Sequence, residues 1–185
     1  MKLKSLFERT MNSLVTVTRQ NFGGGRDDRS HVVQINNVRY IPSVQQGWLE
    51  VRCDTTSTNS GNTYETVIRF DGVKYIGKEE FNSSVNDPSM QVVDLTGTDG
   101  NLYYARYDNA RSLDVQVRCT CEDFRWRFAP YNHGDGSLHG NPPPVYSKKT
   151  NRPPVNPTRS PGVCKHLRKL KTVLEREDFF KLLLN

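Results

Sequence analysis

From residue 2 to residue 17 apolar side chains recur at Leu3, Leu6, Phe7, Met11, Leu14 and Val15, with Lys4, Glu8, Arg9 and Asn12 between them. Spacing of three and four predicts one amphipathic helix, either packed on its own domain or serving as an arm that docks on a neighbouring subunit. Gly23-Gly24-Gly25 and the charged run Arg26-Asp27-Asp28-Arg29 then break the pattern and predict a hinge. No Lys-Ser/Thr pair follows the glycines, so they do not make a phosphate loop.

Between His31 and Cys121 the period shortens to two, in segments separated by turn residues. This predicts antiparallel β-structure. Asn36-Asn37 reads as a tight turn between His31–Ile35 and Asn37–Ile41. Gly47–Cys53 alternates cleanly and is followed by a polar loop from Thr55 to Asn62. Asp71-Gly72 carries the hairpin signal between Thr63–Phe70 and Val73–Ile76, and Thr98–Asn101 joins Gln91–Leu95 to Leu102–Tyr107. The last strand, Leu113–Cys121, alternates for nine residues and puts Cys119 and Cys121 on one face with Leu113, Val115 and Val117. Beyond it, Phe124, Trp126 and Phe128 alternate with Arg125 and Arg127, the pattern of a strand that is apolar on one face and basic on the other.

After Phe128 the composition changes. Eight of the ten prolines lie between Pro130 and Pro161, where they exclude a helix interior or a central strand, and the stretch reads as a linker. Pro161-Gly162-Val163-Cys164 opens a second helix with Leu167, Leu170, Val173 and Leu174 on one stripe, and a short apolar end runs from Phe179 to Leu184. The expected fold is mainly β in the α+β class. It comprises an N-terminal helical arm (1–22), an antiparallel β domain (30–118) and a C-terminal strand, Pro-rich loop and helix (119–185).

Charge is local. No acid lies between Asp135 and Glu175, whereas Lys148, Lys149, Arg152, Arg159, Lys165, Arg168, Lys169 and Lys171 supply eight of the 26 basic residues. The other 18 face 20 acids, so the formal net charge of +6 arises in this region alone. A field of this kind suits phosphates or an acidic patch on a protein, and Lys148, Lys149, Arg152, Arg168, Lys169 and Lys171 are the candidate contacts. No run of about 18 apolar residues predicts a membrane span. The N-terminus lacks the apolar core of a secretory signal, so the four cysteines are expected to be reduced and cytoplasmic.

Reduced cysteines in a chain of this size point to metal binding or burial. Cys119-x-Cys121 at a strand end and Cys164-x-His166 at a helix start supply three thiols and one imidazole, the ligand set of a closed structural zinc site. Alternate residues of a strand share a side, so two thiolates can converge, and a helix start can present Cys164 beside His166. The positive end of the helix dipole, with Arg168 and Lys169, favours the thiolate form of Cys164. Cys53 has no partner pattern and reads as core; His31, His133 and His139 lack ligand spacing and read as loop or surface residues. Four good ligands leave no open position for catalysis. Neither paired carboxylates nor a Gly-x-Ser-x-Gly motif appears, so an enzyme is not expected.

Cys119, Cys121, Cys164 and His166 match one by one the Cys-x-Cys and Cys-x-His pairs of the SWIM-type zinc-binding module, which this C-terminal part resembles. The insert between the pairs, residues 122 to 163, is 42 residues long and exceeds what is usual for that module. A narrower similarity covers Cys119–Asn132, Tyr146–Thr150, Arg152-Pro153-Pro154, Asn156-Pro157 and Pro161–Leu167. These resemble a segment of structural proteins of tailed-bacteriophage particles. The resemblance implies one structural zinc ion per chain in a virion component of tail, baseplate or neck. Such a component would assemble in the host cytoplasm, with other virion proteins as partners in a symmetric assembly. The competing reading is a nucleic-acid-binding zinc module that uses the basic C-terminal region.

Overall fold

The computed structural model describes residues 10–22, 29–87, 91–107, 113–144 and 151–176. Among them the chain forms seven strands in two antiparallel sheets and four α-helices, the mainly β, α+β architecture expected. Strands β1 (Val33–Ser43), β2 (Trp48–Ser57), β3 (Thr63–Asp71) and β7 (Val115–Cys119) form one sheet in the order β1-β2-β3-β7. Strands β4 (Lys74–Ile76), β5 (Gln91–Thr96) and β6 (Leu102–Tyr107) form the other, in the order β4-β6-β5. No helix among the described residues is long and apolar enough to cross a membrane.

Period-two patterning builds the larger sheet's inner face as three rows across β2, β3 and β7. They are Leu49–Phe70–Val115, Val51–Ile68–Val117 and Cys53–Thr66–Cys119, all buried. The opposite face carries Arg52, Glu65, Arg69 and Arg118. Helix α1 (Met11–Phe22) buries Met11, Leu14 and Val15 in the same core as α4 (Lys165–Arg176), which contributes Leu167, Leu170 and Leu174. Residues 10–22 therefore pack on their own chain. Residues 2–9 of the expected helix, Gly23–Asp28 of the expected hinge and Phe179–Leu184 of the apolar end lie outside the described residues.

Several expectations are corrected. Asn36-Asn37 makes no hairpin: β1 runs straight through, paired with β2, and one extra residue is absorbed as a bulge between Asn36 and Arg39. A bulge asks for one left-handed residue, and Asn37 supplies it at φ 52° while its amide donates to Asp54 Oδ2 at 2.9 Å. Asp71-Gly72 turns the chain out of one sheet into the other, because both edges of β3 are already taken by β2 and β7. The β5–β6 hairpin forms as expected around Gly100 at φ +81°. Strand β2 reaches Ser57, into the expected loop, because Thr55 and Ser57 are buried and the Thr55 and Thr66 hydroxyls bond at 3.0 Å. Helix α2 (Lys78–Ser84) went unread in the sequence; it lays Phe81 on Tyr104.

The aromatic–arginine stretch is helical. A π-helical turn, Phe124–Phe128, runs into α3 (Ala129–Asp135). Alternation over five residues also satisfies an i, i+4 spacing, and burying Phe124 and Phe128 together decides for the helix. Ion pairs from Asp123 to Arg127 and from Glu122 to Arg125 line the outside. Nor are the described parts of the Pro-rich insert a free linker. Buried Asn132 accepts from the Gly162 N–H at 2.8 Å and donates to its carbonyl at 3.1 Å; buried Asn156 donates to the carbonyls of Arg127 and Ser160, both at 2.8 Å. Amide side chains thus satisfy backbone groups that proline-rich chain cannot pair in a ladder. A Cβ on Gly162 would meet Thr18 Oγ1 at 2.6 Å and the Phe128 ring at 2.7 Å, so only glycine fits there.

Candidate metal centre

Three elements meet at the centre. Cys119 ends β7 on its inner face, Cys121 opens the helical segment two residues later, and Cys164 and His166 straddle the start of α4. The ordered strand is shorter than the nine residues expected, so the two thiols converge differently. The Thr120 N–H still pairs with the Glu65 carbonyl at 3.0 Å, and the Cys121 carbonyl then accepts the first helical bond, from the Arg125 N–H at 3.0 Å. Cys121 Sγ accepts from the Phe124 N–H at 3.4 Å, the position of a helix-capping side chain.

The four ligand atoms lie within 4.8 Å of one another, and all four residues are buried. His166 presents Nδ1 to the sulfurs, 3.7 Å from Cys119 and 3.8 Å from Cys164. Its ring leans on Tyr64 at a centroid distance of 4.9 Å. A cleft of about 330 Å³ borders Cys121, Cys164 and His166. Such a cluster could hold a metal ion.

Without a cation three crowded sulfurs cannot share the thiolate form. Burial pushes the Cys119 thiol up, but hydrogen bonds from Cys121 and Cys164 outweigh it and hold Cys119 well below the ordinary thiol value. Burial, with the contacts to Cys119 and Cys121, pushes Cys164 well above it. A bound cation would reverse that, since it attracts every thiolate at once.

Cys53 is buried core, as read. It sits in the row with Thr66 and Cys119 but outside the ligand cluster, and burial pushes its thiol up to about 12. His139, expected in a loop or on the surface, lies in a loop but is half-buried, with Nε2 3.3 Å from the carboxylate of buried Glu50. No spacing rule could find this contact, because it arises where the chain after α3 pairs along the edge of β7: Val117 bridges Leu138, and Arg118 donates to the carbonyls of His139 and Asn141. The basic candidates are scattered. Arg152 is exposed, Arg168 is buried, Lys169 is half-buried and Lys171 pairs with Glu175. Lys165 donates to Ser57 at 3.1 Å, while Lys148 and Lys149 lie outside the described residues. Comparison with protein-family models, with curated proteins and with solved structures found no match.

Proposed function

We propose that the chain is a non-enzymatic structural protein, stapled by one zinc ion, that works by joining neighbouring proteins. The resemblance to the tailed-phage segment makes other virion proteins, in a symmetric assembly, the proposed partners. One observation carries the zinc reading: three sulfurs and an imidazole nitrogen, all buried, within 4.8 Å of one another. A tetrahedron with Zn–S of about 2.3 Å and Zn–N of about 2.05 Å has S···S edges of about 3.8 Å and S···N edges of about 3.5 Å. The two measured S···N separations, 3.7 and 3.8 Å, need only a few tenths of an ångström of closure. Soft thiolates select against magnesium and calcium, and the mixed set suits zinc.

Four protein ligands complete the coordination, so the ion acts through folding energy and offers no site to a substrate. Its effect is mechanical: β7, the helical segment after it and α4 are held at one point. Assembly is preferred over nucleic-acid binding because the basic residues of α4 do not form an exposed stripe; Arg168 is buried and Lys171 is paired. Elemental mass spectrometry of wild type beside Cys164→Ser tests the staple. The expected result is about one zinc per wild-type chain and none in the variant; metal-free wild type, purified under reducing conditions, would sink it. Sedimentation from physiological ionic strength to about 1 M salt tests the role. Oligomers or a protein complex that survive the salt support assembly, whereas steeply salt-dependent binding to nucleic acid overturns it.

A further inference from the structure

We propose that Thr66 is a positioning residue of the metal centre: its hydroxyl donates to the Cys119 thiolate and sets how tightly the ion is held. This rests on the metal reading above. Three thiolates, one neutral imidazole and a divalent cation leave a net charge of −1 in the core, and a buried charge needs hydrogen-bond donors around it. Cys121 has one in the Phe124 N–H. Cys164 lies at the N-terminal end of α4, where backbone dipoles favour negative charge. Cys119 has the backbone N–H of Cys121 and one side-chain hydroxyl, that of Thr66, whose Oγ1 is 3.7 Å from Sγ.

Register alone puts it there. Thr66 stands opposite Cys119 in the β3–β7 ladder, on the inner face, and is fully buried. Its one hydroxyl hydrogen has two acceptors to choose between, Thr55 Oγ1 at 3.0 Å and Cys119 Sγ at 3.7 Å. Thr55 needs nothing from it, since its own hydroxyl donates to the Tyr64 carbonyl at 3.0 Å. A thiolate, being charged, draws it to sulfur, because charge-assisted bonds are about twice as strong as neutral ones. Fully buried, that hydroxyl has no competing water.

The test titrates metal-free wild type, Thr66→Val, Thr66→Ser and Thr55→Val with cobalt(II), against a chromophoric chelator. Thr66→Val keeps the shape and leaves the Thr55 hydroxyl bonded to Tyr64; Thr66→Ala is read beside it so that a folding failure in one does not silence the assay. Removing an outer-shell partner of this kind weakens metal binding about 10- to 100-fold. The expected result is a loss of about tenfold in Thr66→Val, at the low end of that range because the contact is long. Its sulfur-to-cobalt charge-transfer band should move to lower energy as the thiolate loses a donor. Thr66→Ser should restore both readouts, and Thr55→Val should hold cobalt at least as tightly as wild type. Equal affinity and an unmoved band in Thr66→Val or Thr66→Ala overturn the role of Thr66 while leaving the metal site standing. A wild type that takes up no cobalt overturns both.

Discussion

Withdrawing the ion should lower the melting temperature without releasing α4 outright. Two terms decide this. Linkage sets the loss: at free metal about 1,000 times Kd, binding contributes about 4 kcal/mol of stability. Packing opposes release: Leu167, Leu170 and Leu174 of α4 are fully buried, and burying such side chains is worth about 1.5–3 kcal/mol each, so about 5–9 kcal/mol together. The helix should therefore stay docked at room temperature and give way earlier on heating. For a chain of 185 residues each kcal/mol moves the midpoint by about 2–4 °C, so complete chelation should lower it by about 8–16 °C. The assay is a thermal melt before and after chelation, with metal loss verified on the same sample. Amide hydrogen exchange should place the loosening in residues 119–135 and 163–176 and spare β4, β5 and β6. A midpoint unchanged after the metal is gone would refute the staple; uniform exchange over the whole chain would refute its locality.

Acid should destabilise the protein through His139. Burial, opposed by Glu50 and aided by Arg52, Arg118 and Arg69, lowers its folded-state value below the ordinary 6.5, and a protonated ring would bring a second N–H to the buried Nδ1, which has no partner among the described residues. The unfolded chain then binds the extra proton more readily, so this contribution is complete above about pH 6.5 and is lost as pH falls from there through the folded value. Urea midpoints between pH 7 and pH 5 should fall in wild type and change less in His139→Gln. Asn132→Ala removes both bonds to Gly162 and leaves two buried backbone groups unpaired, a loss of about 2–5 kcal/mol readable in urea denaturation. Cys53→Ala should keep the metal content of wild type, and Cys121→Ser should lose it; loss in Cys53→Ala would mean that the ligand set has been misread.

Patterns with one physical solution were the legible ones. The alternations Leu49–Val51–Cys53 and Val115–Val117–Cys119 could only be a buried sheet face, and Leu167, Leu170 and Leu174 could only be a helix stripe. The four ligands were legible because two short motifs each deliver a pair to one point. Elsewhere a short pattern had two solutions and a distant partner chose between them. Phe124-Arg-Trp-Arg-Phe128 fits a strand and a helix equally, until Gly162 supplies a flat seat for the Phe128 ring. Asp71-Gly72 is a sound turn, but occupancy of both β3 edges decides where the chain goes next. Thr66 and Glu50 carry no local signal, because their roles exist only after register and edge pairing have placed Cys119 and His139 beside them.

Those same long-range placements explain how so long an insert can sit between the two ligand pairs. A cross-link that closes 42 residues removes about 4 kcal/mol of entropy from the unfolded chain in the loop-closure model, and doubling the loop changes this by only about 0.6 kcal/mol. Length is therefore nearly free of thermodynamic consequence for the site, provided both ends return to the same place. Two devices bring them back. Asn132 holds Gly162, and Thr18 of α1 accepts from the Val163 N–H at 2.9 Å, so residues 162 and 163 are fixed before Cys164 is reached. The ligand pairs are thus positioned by hydrogen bonds that do not involve the metal. The ion closes a geometry already drawn.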